Sequence, residues 1–145
     1  MFQNILICTD GSERATKAVR TAALLAKQND ARVTLLHVRQ SLINLEPFPG
    51  APPTSALPTL EGYVRDRQKA VLAKSLPLVE EAGVACTVYE EVGDPADTIT
   101  RVAEQRGCDL IVIGSRGLSL TDAAHLGSVA YSVVHNAHCP VLVVR

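Results

Sequence analysis

The sequence predicts an α/β fold: an open parallel five-stranded sheet with helices on both faces. Three observations predict it. Strand-like and helix-like segments alternate along the chain, the order that builds β-α-β units. The run DLIVI (Asp109–Ile113) is apolar almost throughout, as a strand covered on both faces must be. Helix-starting and helix-ending residues punctuate the chain between its apolar runs.

The elements follow in order. Asn4–Thr9 (NILICT) is a short apolar run rich in branched residues and reads as the first strand. Ser12 can cap the helix after it, in which Ala15, Ala18, Val19, Ala22 and Ala26 form one apolar face. Small alanines on that face allow close packing on a sheet. Arg32–Val38 (RVTLLHV) is the second strand. Residues 40–60 then carry Pro47, Pro49, Pro52, Pro53 and Pro58, a density that reads as a long surface loop. A helix is expected from about Tyr63 to Ala82, ended by Gly83, with a kink or split near Ser75–Leu76 caused by Pro77. Val84–Val92 is the third strand. Asp94 then caps a helix with Pro95 at its first position and Asp97 in its first turn. Ile99, Val102 and Ala103 form its inner face, and Gly107 ends it. After the fourth strand, Asp109–Ile113, comes a glycine-bearing loop. A last helix, marked by Ala130, Val133, Val134 and Ala137, leads to a fifth strand, Pro140–Arg145.

Composition narrows the function classes. A chain of 145 residues is most simply one domain, 1–145, and 47% hydrophobic residues suffice for a real core. A formal net charge of −1 argues against a nucleic-acid partner, which calls for a basic stripe. The absence of tryptophan argues against base-stacking platforms. No apolar run approaches a membrane span, and Ile5–Cys8 is too short for a signal-peptide core, so no membrane partner and a cytoplasmic location are expected. Cys8, Cys86, Cys108 and Cys139 form no C-x-x-C pair and read as free thiols, with Cys8 a core residue.

The most site-like stretch is GSRGLSLTDAAHLGSVA, Gly114–Ala130. Glycine lets a backbone approach an anion closely. The last helix begins near Gly127–Ser128, so its free amides face whatever precedes it, and a helix N-terminus is an anion site. The Ser128 hydroxyl adds a donor. Two familiar phosphate loops do not fit: no Gly-Lys pair exists for a Walker loop, and the turn after the first strand reads TDGS rather than G-x-G-x-x-G. Gly114, Gly117, Gly127 and Ser128 instead fit G-x2-G-x9-G-[ST]. With ILICTDGS, LLHV, DLIVIGSRG and CPVLVVR, that spacing resembles the universal stress protein family over nearly the whole chain.

The resemblance implies a Rossmann-like domain, similar to the adenine nucleotide α-hydrolases, with strand order 3-2-1-4-5 and a bound adenine nucleotide. ATP with Mg²⁺ is the expected ligand, with AMP and ADP as the other candidates. In that order the connections reverse between strands 1 and 4, where ligands bind outside the carboxyl ends of strands. Carried onto this chain, the family pattern puts Thr9 and Asp10 at the first-strand contacts, with Asp10 near the ribose or a phosphate-bound metal. Val38 falls beside adenine, Ile113 and Gly114 under the base and sugar. Gly117, Gly127, Ser128, Val129 and Ala130 fall on the phosphate segment, though the family often has serine or threonine where Ala130 stands. Arg116 is the cation of the loop and can reach the terminal phosphates. A charge at a helix end gains only about 0.3–1 kcal/mol, whereas micromolar affinity needs about 8 kcal/mol. Base contacts and hydrogen bonds must therefore supply the remainder, and a modest affinity is expected. The last strand would form a sheet edge, an apolar liability unless covered. A homodimer paired through Val141–Val144, antiparallel across a two-fold axis, is expected, together with an unidentified protein partner.

Asp10 as a phosphoacceptor lacks an acidic pair and a lysine. His135, His138 and Cys139 offer too few ligands for structural zinc, and Pro140 ends the helix before Cys139 can join a face with His135. His37 reads as a core or edge histidine. No nucleophile with an adjacent base stands out, so no catalytic residue is assigned. Three readings stay open: a nucleotide-binding regulatory module, a slow ATP hydrolase or self-phosphorylating protein, and a nucleotide-independent interaction or chaperone-like dimer.

Overall fold

The computed structural model describes residues 1–40, 57–116 and 126–145, and only the backbone of residues 57–59. Five strands and four helices alternate through them: β1 Asn4–Cys8, α1 Glu13–Asn29, β2 Arg32–Arg39, α2 Leu57–Glu80, β3 Cys86–Val92, α3 Pro95–Gln105, β4 Leu110–Gly114, α4 Ser128–Asn136 and β5 Val141–Val144. The strands make one parallel sheet in the order β3-β2-β1-β4-β5. This is the fold class and strand order expected from the sequence.

The two faces explain why the central strands are apolar without a break. Successive side chains on a strand point to opposite faces. On β1, Ile5 and Ile7 join the core under α1 and α2, while Leu6 joins the core under α3 and α4. On β4, Leu110 and Val112 face the first core, Ile111 and Ile113 the second. The alanine face of α1 is buried throughout, at Ala15, Ala18, Ala22, Ala23 and Ala26. Both expected caps form: the Ser12 hydroxyl accepts from the Ala15 amide at 3.2 Å, and the Asp94 carboxylate from the Asp97 amide at 3.0 Å. Each satisfies a donor that the helix itself leaves unpaired.

Helix α2 departs from expectation at its start, and of the two outcomes expected at Pro77 the split does not occur. It begins at Leu57 rather than Tyr63, so the end of the expected 40–60 loop is helical. Pro58 falls in the first turn, where its missing N–H costs nothing. The remainder of that loop lies outside the described residues. Pro77 does not split the helix, which runs on to Glu80. It sits in the last turn and removes only its own N–H bond. Leu72, Ser75 and Val79 on either side of it are buried and hold both stretches against the sheet. The chain then turns through Gly83, whose φ of +74° favours glycine.

Among the described residues no helix is long and apolar enough to cross a membrane. Helix α4 ends at Asn136, with His135 stacked on Tyr131 at 6.2 Å between ring centroids. The helix therefore stops short of Cys139.

Candidate functional site

Strand β1 lies between β2 and β4, and the chain leaves its carboxyl end towards β2 and arrives at β4 from the other side of the sheet. Loops diverge at such a point and leave a crevice. A cavity of about 530 Å³ opens there, within the range that holds small ligands. Ten of the eleven sequence-selected residues line it: Thr9, Asp10, Val38, Ile113, Gly114, Arg116, Gly127, Ser128, Val129 and Ala130. Gly117, the eleventh, lies outside the described residues.

One end of the cavity is apolar. Val38 from β2 and Ile113 from β4 meet Pro95 and Ile99 from the start of α3. Cys8 also faces it from the end of β1. Burial, and then the nearby Asp10 charge, push the Cys8 thiol up to about 12. The thiol stays protonated at neutral pH and adds no charge to this wall.

The other end is rich in donors. Gly127 is the N-cap of α4, and unlike the caps of α1 and α3 it contributes no side-chain hydrogen bond. Among the described residues no side-chain oxygen caps the first amides of α4, whose residues Ser128, Val129 and Ala130 line the cavity. The Gly127 amide donates to the Ser115 carbonyl at 2.8 Å, which ties α4 to the end of β4. Arg116 lines the same end, and among the described residues its Nη1 is buried with no hydrogen-bond partner. Asp10 faces these donors. Its Oδ1 accepts from the Ser12 amide at 2.9 Å, forming a turn, and among the described residues its other oxygen has no partner and can meet a ligand hydroxyl or a cation. Apolar side chains beside clustered donors and one carboxylate suit a molecule with an apolar part, hydroxyls and an anion.

The model of the universal stress protein family matches residues 1–145. The chain belongs to that family. Universal stress protein MJ0531 of Methanocaldococcus jannaschii is 35% identical over 145 residues, covering 100% of this chain and 83% of the relative. Universal stress protein YxiE of Bacillus subtilis is 33% identical over 148 residues, covering all of both chains. The fold is also that of a solved universal stress protein in complex with cAMP, at a TM-score of 0.75 and 26% identity, covering 99% of this chain and 97% of the other.

Within this family member, sequence reading missed Cys8, Ala15, Pro95, Ile99 and Leu126 as cavity residues. Cys8 was read as core, and it does pack against the α3–α4 core while also facing the cavity. Pro95 and Ile99 were recognised as a helix start and inner face. A usable signal was present: a helix packed on the same sheet face as α4 must begin near the carboxyl strand ends, where its first turn borders the crevice.

Proposed function

We propose that this protein is a nucleotide-binding regulatory module that holds ATP, with Mg²⁺, in the cavity between β1 and β4. The observation that carries this reading is the start of α4, which Gly127 caps with no side chain, lining one cavity with Arg116, Val38 and Ile113. Anions favour such a helix start. The base lies between Val38 and Ile113, the ribose or metal meets Asp10, and the phosphates take the amides of Ser128 and Val129, which follow the Gly127 turn. Gly114 lies under the sugar and Ala130 closes the phosphate segment without a hydroxyl. The cAMP complex of a family member supports an adenine nucleotide. Occupancy of this site controls the protein's conformation or its binding to a partner protein. Four free thiols suit the reducing cytoplasm as its place of action.

Titration calorimetry of ligand-stripped protein with ATP, ADP and AMP, with and without Mg²⁺, tests the reading. Saturable heat with ATP that strengthens with Mg²⁺ is expected. No heat with any adenylate overturns it.

We also propose a homodimer through β5. That strand lies at the sheet edge, and Tyr131 and Val134 of the preceding helix are exposed. An apolar edge needs a cover, and a second copy supplies one by antiparallel pairing of Val141–Val144. Sedimentation should give twice the 15.5 kDa chain mass. A monomer at micromolar concentration counts against the pairing.

A further inference from the structure

The turn that carries Thr9 and Asp10 is held from the far side of the sheet by groups outside the cavity. His37 of β2 places its Nδ1 2.7 Å from the Thr9 carbonyl oxygen. A carbonyl oxygen can only accept, so the ring donates and its proton sits on Nδ1. Val38, the next residue, lines the cavity, and neighbouring strand residues face opposite sides. His37 therefore cannot touch a ligand beside Val38. It touches only what holds the ligand's partner.

A buried frame stands behind this contact. Gln68 of α2 is 3% exposed and donates to the His37 carbonyl at 3.3 Å and to the Glu91 carbonyl at 3.2 Å. The Thr9 and Ser75 hydroxyls meet at 3.2 Å, and both residues are 1% exposed. The Thr9 amide still belongs to the sheet ladder, donating to the Leu36 carbonyl at 2.9 Å. Past Thr9 the chain turns away through Gly11, at a φ of +80°. The Thr9 carbonyl and the Asp10 amide share one planar peptide unit. Whatever fixes that oxygen fixes the plane from which Asp10 departs.

We propose that His37 is a positioning residue for the site: its Nδ1–H clamps the Thr9 carbonyl and so sets the direction in which the Asp10 carboxylate enters the cavity. The proposal rests on the nucleotide-binding reading of that cavity. A buried carbonyl that loses its donor turns towards another one. Rotation of the Thr9–Asp10 peptide then swings Asp10 away from the ribose or metal.

The test titrates Mg²⁺-ATP into the full chain and into His37→Ala, His37→Gln and His37→Asn, with a thermal melt of each. Asparagine places an amide donor near the position of Nδ1, whereas glutamine reaches towards that of Nε2. The alanine and glutamine variants are expected to bind roughly three- to tenfold more weakly, the loss of one hydrogen bond. Asparagine should restore most of the affinity. ¹⁵N NMR of the unmodified protein should show His37 in the Nδ1–H form, a measurement that needs no variant to fold. An Nε2–H ring overturns the clamp. So does ATP binding by folded His37→Ala as tight as that of the unmodified chain, or an asparagine variant no better than alanine. Absence of heat from the unmodified chain overturns the nucleotide reading and the site role together, and the ring form then still decides whether the clamp exists.

Discussion

Gly127→Val is expected to weaken ATP binding on the order of 10- to 100-fold while the sheet stays folded. Conformation is not the reason. Gly127 has a φ of −62° and a ψ of 156°, which any residue adopts. Space is the reason. A Cβ at this position would sit 3.3 Å from the Ser115 carbonyl oxygen and 3.3 Å from Arg116 Cα, tighter than ordinary contact, and 3.7 Å from Arg116 Cγ. Valine adds two further carbons to that Cβ. They must push Arg116 aside, lift the start of α4, or fill the mouth of the cavity. Each displaces the donors proposed for the phosphates, and the Gly127–Ser115 bond at 2.8 Å ties any shift of α4 to the end of β4. Gly127→Ala should show a smaller loss, since its single carbon asks its neighbours to give by only a few tenths of an ångström. Calorimetry with Mg²⁺-ATP, checked by circular dichroism and a thermal melt, reads the effect. A valine variant that binds as tightly as the unmodified chain would remove the donor end of the cavity from the account.

Much of this is legible in the amino-acid sequence. Period-2 and period-3.6 patterns, read with Ser12 and Asp94 as caps, locate the strands and helices because those signals are local. Gly114, Gly127 and Ser128 of the glycine spacing line the cavity, since glycine marks places where the backbone must come close to a neighbour. What stayed hidden depends on contacts distant in sequence. The proline density reads as a loop up to residue 60, but Pro58 falls in the first turn of α2, where a missing N–H costs nothing, while Pro77 forfeits its bond to the Ala73 carbonyl without ending the helix. Ile99 shows an apolar face in the sequence, yet which cavity that face reaches depends on where α3 lands on the sheet. Period-2 alternation puts His37 opposite Val38, but its partner, the Thr9 carbonyl, belongs to the turn after β1. Gly114 shows the same limit most sharply, because a phosphate-loop reading and a packing reading predict the same residue.

Gly114→Ala separates those two readings and is expected to destabilise the ligand-free protein by about 1–3 kcal/mol, lowering Tm by roughly 3–10 °C. A Cβ on Gly114 would lie 3.0 Å from the Ala15 amide nitrogen, 3.0 Å from the Arg14 carbonyl carbon and 3.2 Å from its oxygen. These are main-chain atoms of the first turn of α1, so no side-chain rotation relieves the clash. Either β4 or the start of α1 must move. Two bonds lie on that path: the Ser12 hydroxyl cap on the Ala15 amide at 3.2 Å, and the Arg14 Nη1 donation to the Ser115 hydroxyl at 2.8 Å. Losing the cap alone costs about 1 kcal/mol. The damage precedes any ligand, so the melt should drop in the absence of ATP as much as in its presence. Gly114 then serves first to let α1 close against β4, which brings Asp10 and the end of β4 to the same crevice, and any loss of ATP affinity follows from that shift. If Gly114→Ala melts with the unmodified chain and loses only ATP, the glycine is there for the ligand and the packing account is wrong.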